Sequence, residues 1–197
     1  MAKKKEQPKK EKLILPDRYI LIAADLSLMR PGFAKFEIDK INTLDIIKSI
    51  SFTSIDNKRK HNKPHGQIIN EIMSTFISFI GYPEYPIYLV REKEIMLVKV
   101  PSERNVSKVI GIMDWWAYAE SLCSPYKKGI TSEWDEIYPS TIKKMVAGSG
   151  NADKETVAKS LEKYIGVREY ACDDESDAAA VGISWLIQHD EIKEIEQ

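Results

Sequence analysis

Apolar and polar positions recur along the chain with two periods, and these predict its elements. The run RYILIAADLS (18–27) is apolar, β-branched and aromatic, as a strand buried on both faces is, and it carries Asp25 toward its end. After a Pro-Gly turn, GFAKFEID (32–39) alternates with period two and reads as its hairpin partner. LDIIKSISFTS (44–54) supplies a third strand, so an antiparallel meander opens the fold. HGQIINEIMSTFISFIG (65–81) instead sets Ile68, Ile69, Ile72, Met73, Phe76 and Ile80 at helical spacing, and it stops at Gly81 and Pro83. YPIYLVRE (85–92) is a further buried strand, ending in Glu92. A helix is predicted from Pro101 to about Leu122, with Val106, Val109, Ile110, Met113, Trp116 and Ala117 on one side. A short strand at 134–138 precedes a turn through Pro139. Asn151 or Asp153 then caps a helix running to about Ile165, and CDDESDAAAVGISWL (172–186) forms the last helix.

This order predicts a mixed sheet with helices packed on its faces. With strand one central and beside strand four, the C-terminal ends of two parallel neighbours lie together, where ligands gather in such sheets. Asp25 and Glu92 then become neighbours. Asp174 and Asp177, three apart, share a helix face that continues through Ala178, Val181 and Trp185, so the last helix can lay both acids beside them. Acids at a helix start also have a plainer reason, the pull of the exposed N–H groups and the dipole. Glu94 competes with Glu92 as the strand-end acid, and Asp173 with Asp174, although the spacing of three to Asp177 favours Asp174. Four carboxylates at one spot do not all stay ionised without a counter-charge. Oxygen-only ligands favour Mg²⁺ or Mn²⁺, and two such ions about 4 Å apart activate water and stabilise the leaving oxygen of a phosphodiester. The expected chemistry is metal-dependent phosphodiester hydrolysis.

Composition narrows the setting. At 197 residues and 43% hydrophobic, the chain suits one domain with a sizeable core. The net charge of -1 identifies no partner, but Met1 to Arg18 carries six lysines and one arginine against three acids. That arm is either a polyanion-attracting tail or a solubilising leader. No stretch is apolar enough for a signal peptide or a membrane span, so a soluble, cytoplasmic protein with no membrane partner is expected. Cys123 and Cys172 show neither metal spacing nor a disulfide framework, and His61, His65 and His189 show no ligand spacing. The basic loop IDNKRKHNKPHG (55–66) is either solvated or in contact with nucleic acid. Trp115 and Trp116 cannot both point inward in phase: one faces a partner subunit, or both share a wide core contact.

Four stretches fall in one order: AADLSLMRPGFAKF, with an Asp and then Gly-x-Ala; IYLVREKEIMLVK, with a strand-end Glu; STIKKMVAGSGNADKETV, with Ile-Lys, Gly-x-Gly and an acid-Lys before a helix; and DDESDAAAVGI. From about residue 19 to 190 the chain thereby resembles the RuvC family of Holliday junction resolvases, among the ribonuclease H-like nucleases. The resemblance implies an α/β, ribonuclease H-like fold: a five-stranded mixed sheet, its first three strands antiparallel, with helices on both faces. Composition sets apart a basic arm over 1–18, and the resemblance implies a single nuclease domain over 19–197. The implied activity is that of a crossover junction endodeoxyribonuclease serving DNA recombination and repair, which cuts four-way junctions by paired symmetric hydrolysis with Mg²⁺, or Mn²⁺ in its place. A homodimer is implied too, since a four-way junction offers two symmetry-related strands.

Carried over by position, Asp25, Glu92, Asp174 and Asp177 are the metal-binding catalytic acids. Lys154 is a catalytic and phosphate-binding lysine, and Lys143 and Ser27 are further phosphate contacts. The alternatives are an exposed first-turn lysine, a solvated loop lysine and a strand-end cap. Ile95 stands where the family often has a base-handling aromatic. The charged arm and near-neutral charge differ from a compact basic bacterial resolvase and are compatible with a phage or viral-type member. Two rivals remain: a broader nuclease of the same fold acting on branched or flap DNA or RNA, and a junction-binding protein without catalysis. An ATP-binding actin-like fold would need Gly-rich phosphate loops, which DLSLMRPG does not supply.

Overall fold

The computed structural model describes residues 13–41, 46–57, 63–94, 101–123 and 129–195, with the side chains of the fourth segment described from 106 to 122. Residues 1–12 of the basic arm, 58–62 of the basic loop with His61, and Ile95 lie outside the described residues, as does the side chain of Cys123.

Strands β1 (Arg18–Asp25), β2 (Gly32–Asp39) and β3 (Ile47–Ser54) form the opening meander. Helix α1 (His65–Ile80), strand β4 (Ile87–Glu92), helix α2 (Pro101–Cys123) and strand β5 (Asp135–Ile137) follow, then helices α3 (Pro139–Ala147), α4 (Lys154–Ile165) and α5 (Asp173–Gln188). The sheet order is β3-β2-β1-β4-β5. β1 is antiparallel to β2 and parallel to β4, and β4 is parallel to β5.

β1 reads as a continuous apolar run because both of its faces are covered. Tyr19, Leu21 and Ala23 join the core made with α3, α4 and α5. Ile20, Ile22 and Ala24 face the other way, onto Ile68, Ile72, Phe76 and Ile80 of α1 and Val109, Met113, Trp116 and Ala117 of α2. α5 lies over β1, β2 and β4 and against α3 and α4, so it is buried all round from Ala178 to Leu186. Its Gly182 makes room for Phe36, whose ring would be 2.2 Å from a Cβ at that position.

One detail differs from the sequence pattern, and one open choice is decided. Pro139 opens helix α3 instead of making a turn. The fixed φ of proline suits a first helical residue, whose N–H has no intrahelical partner in any case, and the helix ends at Gly148 in the left-handed conformation. The tryptophan pair is split: Trp116 is buried in the α1–β1 contact, whereas Trp115 is 62% exposed.

Candidate active site

Alternation along the strands aims two carboxylates at one helix. Asp25 continues the Leu21–Ala23 face and Glu92 the Tyr88–Val90 face, both of which look toward α5. The parallel register pairs Ala24 with Arg91, so the next residues, Asp25 and Glu92, end adjacent strands side by side. Arg91 points to the opposite face. Its buried guanidinium is held by Asp114 of α2 and Glu136 of β5, which fixes the end of β4.

The start of α5 is seated on β2. Gly32 is the cross-strand partner of Asp25, and the main chain of Asp174 lies against it. The first-turn acids of α5 divide by direction. Glu175 is buried and accepts hydrogen bonds from Ser54 Oγ (2.9 Å) and the Ala171 N–H (2.9 Å), tying the helix to β3. Asp173 is exposed. Asp174 and Asp177 turn inward, and both act electrostatically on Asp25.

Asp25 is pushed up to about 7, first by burial, then by the charges of Glu92, Asp177 and Asp174, with Lys154 pulling the other way. Glu92 is also raised, by burial and then Asp177, against Lys154 and Lys143. Glu94, two residues on, accepts from Ser107 Oγ at 3.4 Å. Burial pulls the Lys154 ammonium down, but its hydrogen bond to Asp177 and the charges of Asp177, Asp25 and Asp174 outweigh this and raise it.

Two cations sit on the acids of α5. Lys154 Nζ donates to Asp177 Oδ2. It occupies the first residue of α4 because Asp153 caps that helix, accepting from the Thr156 N–H at 2.8 Å. Arg30 Nε lies 3.5 Å from Asp174 Oδ2, a purely electrostatic distance, and that buried oxygen accepts no hydrogen bond. Lys143 is on helix α3, not in a loop, and its charge reaches Glu92 and Asp153. Ser27 Oγ accepts from the Arg30 N–H at 2.8 Å and shapes the β1–β2 turn.

Among the described residues no three carboxylate, histidine or cysteine side chains meet as a ready-made metal cage. The donor set nevertheless fits a hard divalent cation: all ligand atoms are oxygens, one is buried without a hydrogen bond, and Asp25 is poised to exchange its proton. Sequence reasoning missed Arg30 and Arg91. A charged residue in a Pro-Gly turn, or inside a strand, has no periodic signature that announces its partner.

No family model matches the chain, and no curated protein sequence matches it. Among solved structures, Thermus thermophilus RuvC superposes with a TM-score of 0.56 at 16% identity, over 84% of this chain and 92% of that one. The same protein in complex with Holliday junction substrate superposes with a TM-score of 0.58 at 14% identity, over 84% and 92%. The fowlpox virus Holliday junction resolvase matches more loosely, with a TM-score of 0.46 at 15% identity over 88% and 99%. At these identities the RuvC likeness is one of fold. The chain has the RuvC-type, ribonuclease H-like architecture that its motifs led us to expect, with helices on both faces of a five-stranded mixed sheet.

Proposed function

We propose that this RuvC-folded chain is a metal-dependent endonuclease that resolves four-way DNA junctions by paired symmetric phosphodiester hydrolysis. The observation that carries the reading is the convergence of Asp25, Glu92, Asp174 and Asp177, with Lys154 among them, at the C-terminal ends of two parallel strands. These four carboxylates are the residues that would hold Mg²⁺, or Mn²⁺ in its place. When bound, the cation polarises a phosphate oxygen and lowers the pKa of water.

The side chains of the chain supply the rest. Asp25 holds a proton at its carboxyl until about neutral pH and must release it before it can act as a ligand. Lys154, anchored on the first turn of α4 and 61% exposed, neutralises negative charge gathering on the phosphate. Lys143 adds positive charge on the Glu92 side, and Ser27 offers its hydroxyl proton to a phosphate oxygen. The basic arm over 1–18 adds sequence-independent attraction to DNA ahead of a single nuclease domain over 19–197.

Paired cuts require two sites related by a two-fold axis. Trp115, Tyr118 and Leu122, exposed at spacings of three and four along α2, form an apolar stripe that a second copy of the chain would cover. Among the described residues no helix is long and apolar enough to cross a membrane, and the reading places the protein with intracellular DNA.

The test is cleavage of an immobile synthetic four-way junction in Mg²⁺ or Mn²⁺, with flap and linear duplex DNA as controls. Paired symmetric nicks are expected, slowed more than about a hundredfold by Asp174→Asn while junction binding persists. Equal cutting of flaps or duplex would replace junction resolution with general structure-specific cleavage. Binding without cutting in either metal would remove the catalytic claim.

A further inference from the structure

Within the metal-dependent reading above, on which it rests, the geometry points to Arg30 as a stand-in cation of the carboxylate group. It holds Asp174 while no divalent ion is bound, yields it when one binds, and then meets a phosphate of the DNA strand.

The main chain around Arg30 is tied down by hydrogen bonds. The Arg30 N–H donates to Ser27 Oγ at 2.8 Å, the Asn57 N–H to the Met29 carbonyl at 2.8 Å, and the Ile55 N–H to the Pro31 carbonyl at 3.3 Å. Asn57 is fully buried, and its Nδ2 reaches the Leu28 carbonyl at 3.2 Å. Leu26 and Leu28 pin the same loop into the core beneath α1.

The side chain is held far less tightly. Its Nε is 3.5 Å from Asp174 Oδ2 and its Nη2 3.5 Å from Asp56 Oδ2, and it is 28% exposed. These distances give attraction without good hydrogen bonds. The Asp174 oxygen thus keeps its bonding capacity, and a divalent ion with twice the charge of a guanidinium outcompetes Arg30 for it. The displaced guanidinium stays near the site because its backbone is anchored by the loop's hydrogen bonds and by Leu26 and Leu28. It is always charged, and its planar fork suits the paired oxygens of a phosphate. Lys154, by contrast, donates a direct hydrogen bond to Asp177, so a cation flanks each acid of α5 but only Asp174 keeps a buried oxygen without one. Arg30 differs in coming from the β1–β2 loop, not from α4.

The experiment uses the full chain and two readouts. The first is calorimetric titration of the metal-free protein with Mn²⁺, comparing Arg30→Gln, Arg30→Lys and Asp174→Asn, with circular dichroism melts to confirm folding. Arg30→Gln is expected to bind Mn²⁺ about two- to fivefold tighter, with Arg30→Lys close to the unmodified protein. The second is the salt dependence of junction binding by fluorescence anisotropy. With Ca²⁺ present, Arg30→Gln should lose about one phosphate contact from the slope; without divalent ions the slope should not change.

Unchanged or weaker Mn²⁺ binding by Arg30→Gln, while Asp174→Asn abolishes it, overturns the role of Arg30 and leaves the metal site standing. So does a slope in Ca²⁺ that Arg30→Gln does not alter. An unmodified protein that binds no Mn²⁺ removes the metal reading itself, and with it the need for a stand-in.

Discussion

The carbonyl of Asp174 fills the space that a side chain on residue 32 would need: a Cβ built on Gly32 falls 2.0 Å from that oxygen. Gly32 is also the cross-strand partner of Asp25. One glycine therefore sets how closely the helix bearing two of the acids approaches the strand bearing another. The requirement is for space, since Gly32 has no positive φ.

Gly32→Ala is expected to force α5 outward, lowering stability by about 1–3 kcal/mol and weakening Mn²⁺ binding by the molecules that remain folded. Gly182→Ala meets the buried Phe36 ring instead. It should cost a similar amount of stability yet leave Mn²⁺ affinity within about twofold, because the strain lies deeper in the core. Urea melts and Mn²⁺ titrations well below both unfolding temperatures separate the two. Equal affinity in Gly32→Ala would mean that the close approach does not matter to the site.

Mn²⁺ affinity should rise with pH and level off above about 7, as the proton on Asp25 ceases to compete. The same shift acts on the metal-free protein. Because the folded-state pKa of Asp25 is raised, the folded protein binds more protons than the unfolded chain between about pH 4 and 7, so this contribution to stability is lost as pH rises through that window. Asp25→Asn should flatten that fall and stabilise the metal-free protein at pH 8. A variant that melts below the unmodified protein at pH 8 would contradict the assignment.

Lys154 favours the ionised forms of both Asp25 and Glu92. In Lys154→Gln the pH midpoint of Mn²⁺ binding is expected to move upward, a shift that a merely solvated lysine would not produce. Cleavage of the four-way junction should slow by roughly 10²–10³-fold, the range seen when one preorganised electrostatic contact is removed. Binding titrations across pH 5.5 to 9 read the first effect, and single-turnover kinetics read the second.

The two adjacent tryptophans should behave oppositely. Trp116→Ala empties a buried contact with Phe76 and should cost about 3–5 kcal/mol. Trp115→Glu places a charge on the exposed α2 stripe and should leave the fold intact while dissociating the proposed homodimer. Analytical ultracentrifugation measures the second outcome. A Trp115→Glu protein that sediments as a dimer would move the interface elsewhere.

What was legible in the sequence followed from local chemistry. Period two and period 3.6 marked the strands and helices, and the Asp153 cap and the Gly81 stop marked helix ends, because each is dictated by residues within a turn or two of one another. Pro139 was ambiguous for a local reason too, since a turn and the first turn of a helix need the same φ of proline.

The sequence by itself determined the strand order's beginning, the acids at the ends of β1 and β4, and the inward phase of Asp174 and Asp177 along α5. Tertiary structure alone decided that Glu175 ties α5 to Ser54, that Gly32 admits the backbone of Asp174, and that Arg30 and Lys154 each take one acid of α5. The physical reason is distance along the chain. Periodicity and capping act between near neighbours, whereas which cation meets which carboxylate depends on how β1, α4 and α5, remote in sequence, come to rest against one another.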